Sequence, residues 1–355
     1  MSFWLSREHV DLDDWKFDGE RLALGAPWPR IDGVHTLSHG RVQLPQGWSL
    51  EETVLDLGLG GEALLTLDHA DGSSESFGLD PFHRRFRLSS ATCSISAEIV
   101  ARLPLGVPNR AAHLERARLV WIDDQVESFY RLLALVVQSG IALGDDVVVE
   151  PMISRAERAL ALLEWPSATA PYVSRTAPGE WMQKIWALPD DLDARPSGLD
   201  QLQRASVVEA MMQLQDDLDE LKAMHAPRGR FAVSGHAHLD LAWLWPMDEA
   251  RRKAMRTFHT VTGLIKRYPE LTFNQSSAQL YAFLEEDDPQ LFECIQEQVV
   301  AGAWEPIGGM WVEPDANMPA GESLVRQLLY GQRYFRARFG SIHKTCWLPD
   351  CFGFT

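Results

Sequence analysis

The feature that most constrains the fold of this chain is a change of rhythm near Arg228. From Arg228 to Thr355, short apolar runs alternate with longer segments of helical period. Phe231-Ala232-Val233, Leu271 to Asn274, Trp304 to Met310 and Lys344 to Leu348 read as strands. Asp248 to Tyr268, Gln279 to Glu286, Leu291 to Val300 and Glu322 to Phe339 read as helices. This alternation predicts a parallel α/β sheet or barrel. In that architecture ligands gather at the carboxyl ends of strands, and each polar cluster of this region falls at such an end.

The preceding chain has two other textures. Residues 1–121 are β-rich: Ala63-Leu64-Leu65-Thr66-Leu67 and Phe86-Arg87-Leu88 are strand-like runs between Gly, Pro, Asp and Ser turns. Asp71-Gly72 marks one turn, and Cys93 to Val100 alternates with period two, so a β-sandwich is predicted. Its role is open between a carbohydrate-contacting module and a structural cap. Residues 122–227 read as a helical and irregular linker region. Val126, Phe129, Tyr130, Leu133 and Val137 share one helical face, and Ala156 to Leu163 forms a second helical stretch. Pro166 to Pro196 is irregular, with Trp181 and Trp186 expected to pin part of it to a core. A long amphipathic helix comes next, with Leu199, Leu202, Ser206, Met211, Leu214, Leu218 and Leu221 near one face. The whole region is expected to cover the α/β domain that begins at 228.

Charge narrows the partners. With 50 acidic and 33 basic residues the formal net charge is −17, which argues against nucleic acid or an anionic membrane and favours a neutral or polyhydroxylated substrate. Thirteen tryptophans suit sugar faces, although filling cores is their commoner use. Cys93, Cys294, Cys346 and Cys351 lack Cys-x-x-Cys spacing and read as reduced thiols of a cytoplasmic protein. No basic segment followed by an apolar run opens the chain, so no signal peptide is expected. The apolar run at Leu132 to Val137 is too short to span a bilayer.

Three strand ends carry candidate chemistry. In Gly235-His236-Ala237-His238-Leu239-Asp240, His238 and Asp240 are separated by one residue and can converge on a cation. A hydrogen-bonded surface pair is the bland alternative. His236 competes as a ligand, but orienting the strand end through a backbone hydrogen bond is the preferred reading. Asp350, in Trp347-Leu348-Pro349-Asp350-Cys351-Phe352-Gly353, is placed either for catalysis or for an Asx turn. The third end offers Glu305 and the loop Gly308-Gly309-Met310-Trp311-Val312-Glu313-Pro314-Asp315. There Glu313 and Asp315 either bind sugar hydroxyls or cap a turn, and the two glycines permit close backbone approach.

Longer motifs sharpen this. Gly-His-Ala-His-Leu-Asp-Leu-Ala-Trp-Leu-Trp-Pro at 235–246, Arg251-Arg252-Lys253, and Gln275-Ser276-Ser277-Ala278-Gln279-Leu280-Tyr281 are three of them. Gly-Gly-Met-Trp-Val-Glu-Pro-Asp-Ala-Asn at 308–317, Glu-Ser-Leu-Val-Arg-Gln-Leu-Leu-Tyr-Gly-Gln-Arg at 322–333, and the 347–353 segment complete the set. In this order they closely resemble the class II α-mannosidases, glycoside hydrolase family 38. The resemblance is dense over 231–355, while 1–230 resembles the family's variable leader.

The resemblance implies that 228–355 starts a seven-stranded (β/α) barrel. It implies one divalent metal ion, zinc, held by His238, Asp240 and Asp350, with Asp350 also the nucleophile. Trp243 would floor the mannose pocket, and Asp315 is a further candidate for substrate contact. The implied reaction is retaining hydrolysis of terminal α-mannosides in oligosaccharides or glycans. The general acid/base Asp and a further metal-binding His are expected beyond Thr355, as is the family's β-rich carboxyl-terminal region. The 355-residue chain is therefore expected to show little turnover alone. A metal-dependent polysaccharide deacetylase and a non-catalytic carbohydrate-binding fragment are the competing readings, and homo-oligomerisation is left open.

Overall fold

The computed structural model describes residues 1, 4–166, 198–226 and 228–354. Trp181 and Trp186, with most of the 166–196 stretch expected to be irregular, lie outside the described residues. Ten antiparallel strands form the first part of the chain. They are β1 (Ser6–Asp11), β2 (Trp15–Phe17), β3 (Glu20–Leu22), β4 (Val34–Gln43), β5 (Thr53–Gly58), β6 (Glu62–His69), β7 (Ser74–Leu79), β8 (Arg85–Arg87), β9 (Thr92–Val100) and β10 (Arg116–Ile122). One sheet has the order β1-β10-β5-β8, the other β3-β2-β4-β9-β6-β7. Strand β9 buries alternate residues, Cys93, Ile95, Ala97 and Ile99, as its period-two sequence requires. These meet Leu37 of β4, Leu65 and Leu67 of β6, and Leu55, Leu57, Ala117 and Leu119 of the smaller sheet in one core, which makes the arrangement a sandwich. The β6–β7 hairpin turns at Asp71-Gly72. There Gly72 takes a φ of 85°, and the Asp71 carboxylate accepts from the Ser73 backbone at 2.9 Å.

Strand β5 does not alternate, because all six of its residues are buried. Leu55 and Leu57 face the sandwich core, whereas Val54 belongs to a second core on the opposite face of the sheet. Helices α1 (Asp124–Leu143), α2 (Val149–Leu160) and α3 (Gln201–Met224) supply the rest of that second core. Asp123 caps α1 by accepting from the Val126 amide, and Asp200 with Gln203 forms a capping box at α3. Val126, Phe129 and Val136 of α1, and Val207, Ala210, Leu214 and Leu221 of α3, pack with Val54, Val120 and Ile122. The helices therefore cover the sheet that precedes them, not the α/β part after them. Periodicity marks an apolar stripe but does not name the surface it will meet.

Helix α1 also carries exposed apolar residues: Leu135, Val137, Ile141 and Leu143. Among the described residues α1 is long and apolar enough to cross a membrane by length and composition alone. The run Leu132 to Val137, read by itself, understates this.

The last part of the chain has three short parallel strands, β11 (Gly235–His236), β12 (Phe273–Gln275) and β13 (Trp304–Pro306), in that spatial order. Helices α4 (Met247–Arg267), α5 (Ala278–Asp287), α6 (Pro289–Ala301) and α7 (Gly321–Phe339) match the helical segments read from the sequence to within two residues. Phe258, Tyr281, Trp304 and Phe335 are fully buried at the centre of this third core. No closed seven-stranded barrel forms among the described residues. Phe231 is 96% exposed and outside the ladder, and Lys344 to Leu348 is not a strand. The latter segment is held differently: the Gln332 side-chain amide donates to the His343 carbonyl and accepts from the His343 amide, both at 2.8 Å. One amide group makes the two bonds that a neighbouring strand would otherwise make.

The α/β part docks on the larger sheet through α4. Lys253 Nζ reaches the Glu62 carboxylate at 2.6 and 2.7 Å, and Arg256 reaches the same carboxylate at 2.7 Å. Arg256 also binds Glu249, which is completely buried. Thr260 Oγ1 accepts from the Gly78 amide at 2.7 Å. Removing one partner of a buried ion cluster leaves uncompensated charge, at a cost of about 3–5 kcal/mol. Glu62→Ala should therefore lower unfolding free energy by about 3 kcal/mol in urea titration. Glu322→Ala, which removes an exposed helical pair with Arg326, should change it by under about 0.5 kcal/mol. Equal effects of the two substitutions would show that the Glu62 cluster contributes nothing special.

Candidate active site

Four segments meet at the carboxyl ends of the parallel strands. The chain leaving β11 brings His238 and Asp240, and the end of β12 brings Ser276. The loop after β13 brings Glu313, and the 341–353 segment brings Asp350. His238 Nδ1 lies 2.9 Å from Glu313 Oε2. Its Nε2 lies 3.2 Å from Asp240 Oδ1 and 3.7 Å from Asp350 Oδ2. Ser276 Oγ donates to the other oxygen of Glu313. The hydrogen bond to Glu313, opposed by burial and reinforced by the charges of Glu313 and Asp240, raises the His238 pKa to about 9.

As the side chains stand, no three of the described His, Cys, Asp and Glu residues are grouped closely enough to hold a metal ion, although the pairwise spacings at His238 come near to what one requires. Two donors each about 2.1 Å from a tetrahedral ion lie roughly 3.4 Å apart, and the two separations at Nε2 fall on either side of that value. The raised pKa means that the metal-free ring carries a proton on both nitrogens near neutral pH; once Nε2 gives up its proton, with Nδ1–H kept by Glu313, its lone pair would face the two aspartates. A 2+ charge would offset the repulsion among carboxylates that otherwise surround a single imidazole. His236, the competing ligand, has both ring nitrogens engaged: Nδ1 donates to the Asn274 carbonyl at 3.0 Å, and Nε2 accepts from Trp347 Nε1 at 3.2 Å.

The two candidate substrate contacts behave differently. Trp243 is 53% exposed and meets Trp245 edge-on at 5.6 Å, leaving ring surface open to solvent. Trp245 is buried beneath it, with Lys253 Nζ 4.6 Å from its ring centre. Asp315 Oδ1 accepts from the amides of Asn317 and Met318 at 2.7 and 3.1 Å, the turn-capping alternative of the two that the sequence allows. Asp350 is the most exposed member of the cluster, with 71% of its side chain accessible. Glu313, a sugar contact or a turn cap by sequence, instead binds the His238 ring. Ser276 carries no signal of its own in the sequence, since a serine after a strand is unremarkable until its partner is known.

The loop that presents Glu313 is stitched at both sides. The Met310 and Trp311 carbonyls accept from the first amides of α5, those of Ala278 and Gln279, at 3.1 and 2.9 Å. On the other side, Gln327 of α7 accepts from the Trp311 amide through its backbone and from the Val312 amide through its side chain. Gly331 of α7 lies so close that a Cβ there would sit 2.4 Å from Gly309 O and 2.7 Å from Trp311 N.

Residues 229–355 match the Glycosyl hydrolases family 38 N-terminal domain. Alpha-mannosidase G of Dictyostelium discoideum is 46% identical over 121 residues. Alpha-mannosidase 2C1 of Homo sapiens is 44% identical over 123 residues, and an alpha-mannosidase of Saccharomyces cerevisiae is 43% identical over 122. These alignments cover 34–35% of this chain and 11–12% of the relatives, so the chain spans about a tenth of the length of the curated relatives it matches. Among solved structures, reduced CprK without ligand shares 12% identity and a TM-score of 0.14 over 55% of this chain and 84% of its own, a likeness too slight to bear on fold or function.

In an ordinary helix interior Gly→Ala stabilises by about 1 kcal/mol. Gly331→Ala should do the opposite, because the added methyl meets backbone that must move, at a cost of roughly 1–3 kcal/mol. Gly321→Ala, in the first turn of the same helix with nothing near its Cβ, should be neutral or stabilising. Thermal melts of the two variants check this, and a Gly331→Ala protein as stable as the parent would refute the close approach.

Proposed function

We propose, from the match of residues 229–355 to the glycosyl hydrolases family 38 N-terminal domain, that this chain supplies the nucleophile and most of the metal site of a retaining α-mannosidase. The observation that carries the reading is the convergence of His238, Asp240 and Asp350 at strand ends, within a segment 43–46% identical to named alpha-mannosidases. The proposed substrate is a mannose-containing oligosaccharide. The seven-stranded (β/α) barrel, the division of the chain at 121/122 and 227/228, and a cytoplasmic setting belong to the same proposal.

His238, Asp240 and Asp350 would hold the metal, with zinc the proposed ion. When bound, it would supply positive charge that draws sugar hydroxyls into the site and favours the distorted ring of the transition state. Glycoside cleavage builds positive charge at the anomeric carbon and negative charge on the leaving oxygen. An Asp350 oxygen attacks the anomeric carbon as the bond to the leaving oxygen breaks, and a carboxylic acid about 5 Å away protonates that oxygen. Water then cleaves the resulting ester and frees Asp350. Among the described residues no carboxyl group is assigned to the acid. Trp243 offers its open face to the apolar side of the sugar and keeps water from it. Asp315 remains a proposed substrate contact, secondary to its turn-capping bonds.

In the active enzyme, a slow-turnover mannosyl fluoride should leave a covalent sugar on Asp350, located by mass spectrometry. Asp350→Asn should lower hydrolysis of an activated α-mannoside by at least about 10³-fold at full metal occupancy, as losing a covalent nucleophile does. His238→Ala should lower both bound zinc and rate, with partial rescue by excess metal. An adduct on another carboxylate, or full activity in metallated Asp350→Asn protein, overturns the assignment. A metal-dependent rate with no adduct at all would instead favour the deacetylase reading, in which bound water attacks.

A further inference from the structure

Three strand ends contribute to one hydrogen-bonded chain. Ser276 follows β12, Glu313 follows β13, and His238 follows β11. Ser276 is 2% exposed and the Glu313 side chain only 10%, so neither oxygen of that carboxylate is left to bulk water by default. One oxygen takes the Ser276 hydroxyl and the other takes His238 Nδ1. A buried carboxylate with both oxygens engaged has one orientation, and so does the imidazole that donates to it. The opposite ring nitrogen then has a single direction in which to point, and that direction contains Asp240 and Asp350.

We propose that Glu313, fixed by Ser276, is a positioning residue that locks the neutral His238 ring as the Nδ1–H tautomer and aims its Nε2 lone pair toward Asp240 and Asp350, with which it would hold the proposed metal. The proposal deepens the function proposed above and rests on that reading for the identity of the bound ion. Without Glu313 the neutral ring is free to carry its proton on Nε2, where Asp240 would accept it, and that tautomer has no lone pair for a cation. Losing a partner of this kind commonly lowers metal affinity about 10- to 100-fold. Glutamine at 313 can still accept from Nδ1–H through its amide oxygen, so it should rescue part of what alanine removes.

The test uses the 355-residue chain and zinc ion alone. Zinc affinity is measured by competition with a chromophoric chelator for the parent, Glu313→Ala, Glu313→Gln and Ser276→Ala proteins. The His238 tautomer is read from long-range ¹H–¹⁵N spectra of metal-free samples held at a pH above the raised pKa of His238, where the ring is neutral. The expected order of affinity is parent, then Glu313→Gln, then Glu313→Ala about 10- to 100-fold weaker, with Glu313→Ala shifting His238 toward the Nε2–H form. Should Glu313→Ala fail to fold, Ser276→Ala tests the same chain through a smaller change, with a smaller shift in the same direction. Unchanged tautomer and unchanged zinc affinity in the folded variants overturn the proposal and leave the metal site standing. A parent chain that binds no zinc, yet whose His238 tautomer follows Glu313, overturns the metal reading and upholds the positioning role.

Discussion

The buried carboxylate of Glu62 is the constraint on which the relation between the two halves of this chain depends. It begins β6 in the larger sheet, and it takes both Lys253 and Arg256 from α4. Burying such charges is unfavourable unless each finds its partner, so the contact is tolerant of only one register between helix and sheet. The same Lys253 lies over Trp245, and Trp245 donates to the Asp240 carbonyl. The sandwich therefore reaches, through one helix and one aromatic side chain, to the backbone of a proposed metal ligand. An apolar contact of the same area would hold the parts together but would allow them to slide.

How much of this is legible in the sequence differs by element type. The four helices after residue 246 are readable almost to the residue because an amphipathic stripe repeats over many turns. Strands are less so. Phe231-Ala232-Val233 has strand composition, but a strand exists only when a neighbour pairs with it, and that neighbour is not encoded locally. Strand β5 hides its period for another reason: both of its faces are covered, so nothing in it needs to be polar. Helices α1–α3 are recognisable, but the sheet they pack on is not.

The candidate site shows the same division. His238, Asp240 and Asp350 can be named from motif and strand-end placement, and the fold brings both carboxylates within ion-pair distance of the imidazole. Glu313 is visible only as a carboxylate on a glycine-containing loop. Its role emerges when Gly331 lets that loop lie against α7 and the first turn of α5 binds it from the other side. The residues that supply chemistry are marked by type and motif. Those that aim them are marked by neighbours, which a linear pattern does not contain.

The attachment of the segment bearing Asp350 has a consequence of its own. A ladder spreads its load over many backbone bonds, and no single side chain is answerable for it. Here the load falls on side-chain contacts: the Gln332 amide and the Phe335 ring on His343, the Trp347 indole on His236, and Asn317 on the Gly353 carbonyl. Asp350 is thus anchored by point fastenings, whereas His238 and Asp240 follow directly from a strand of the sheet. A lineage could shift Asp350 by altering a fastening, with His238 and Asp240 left as they were.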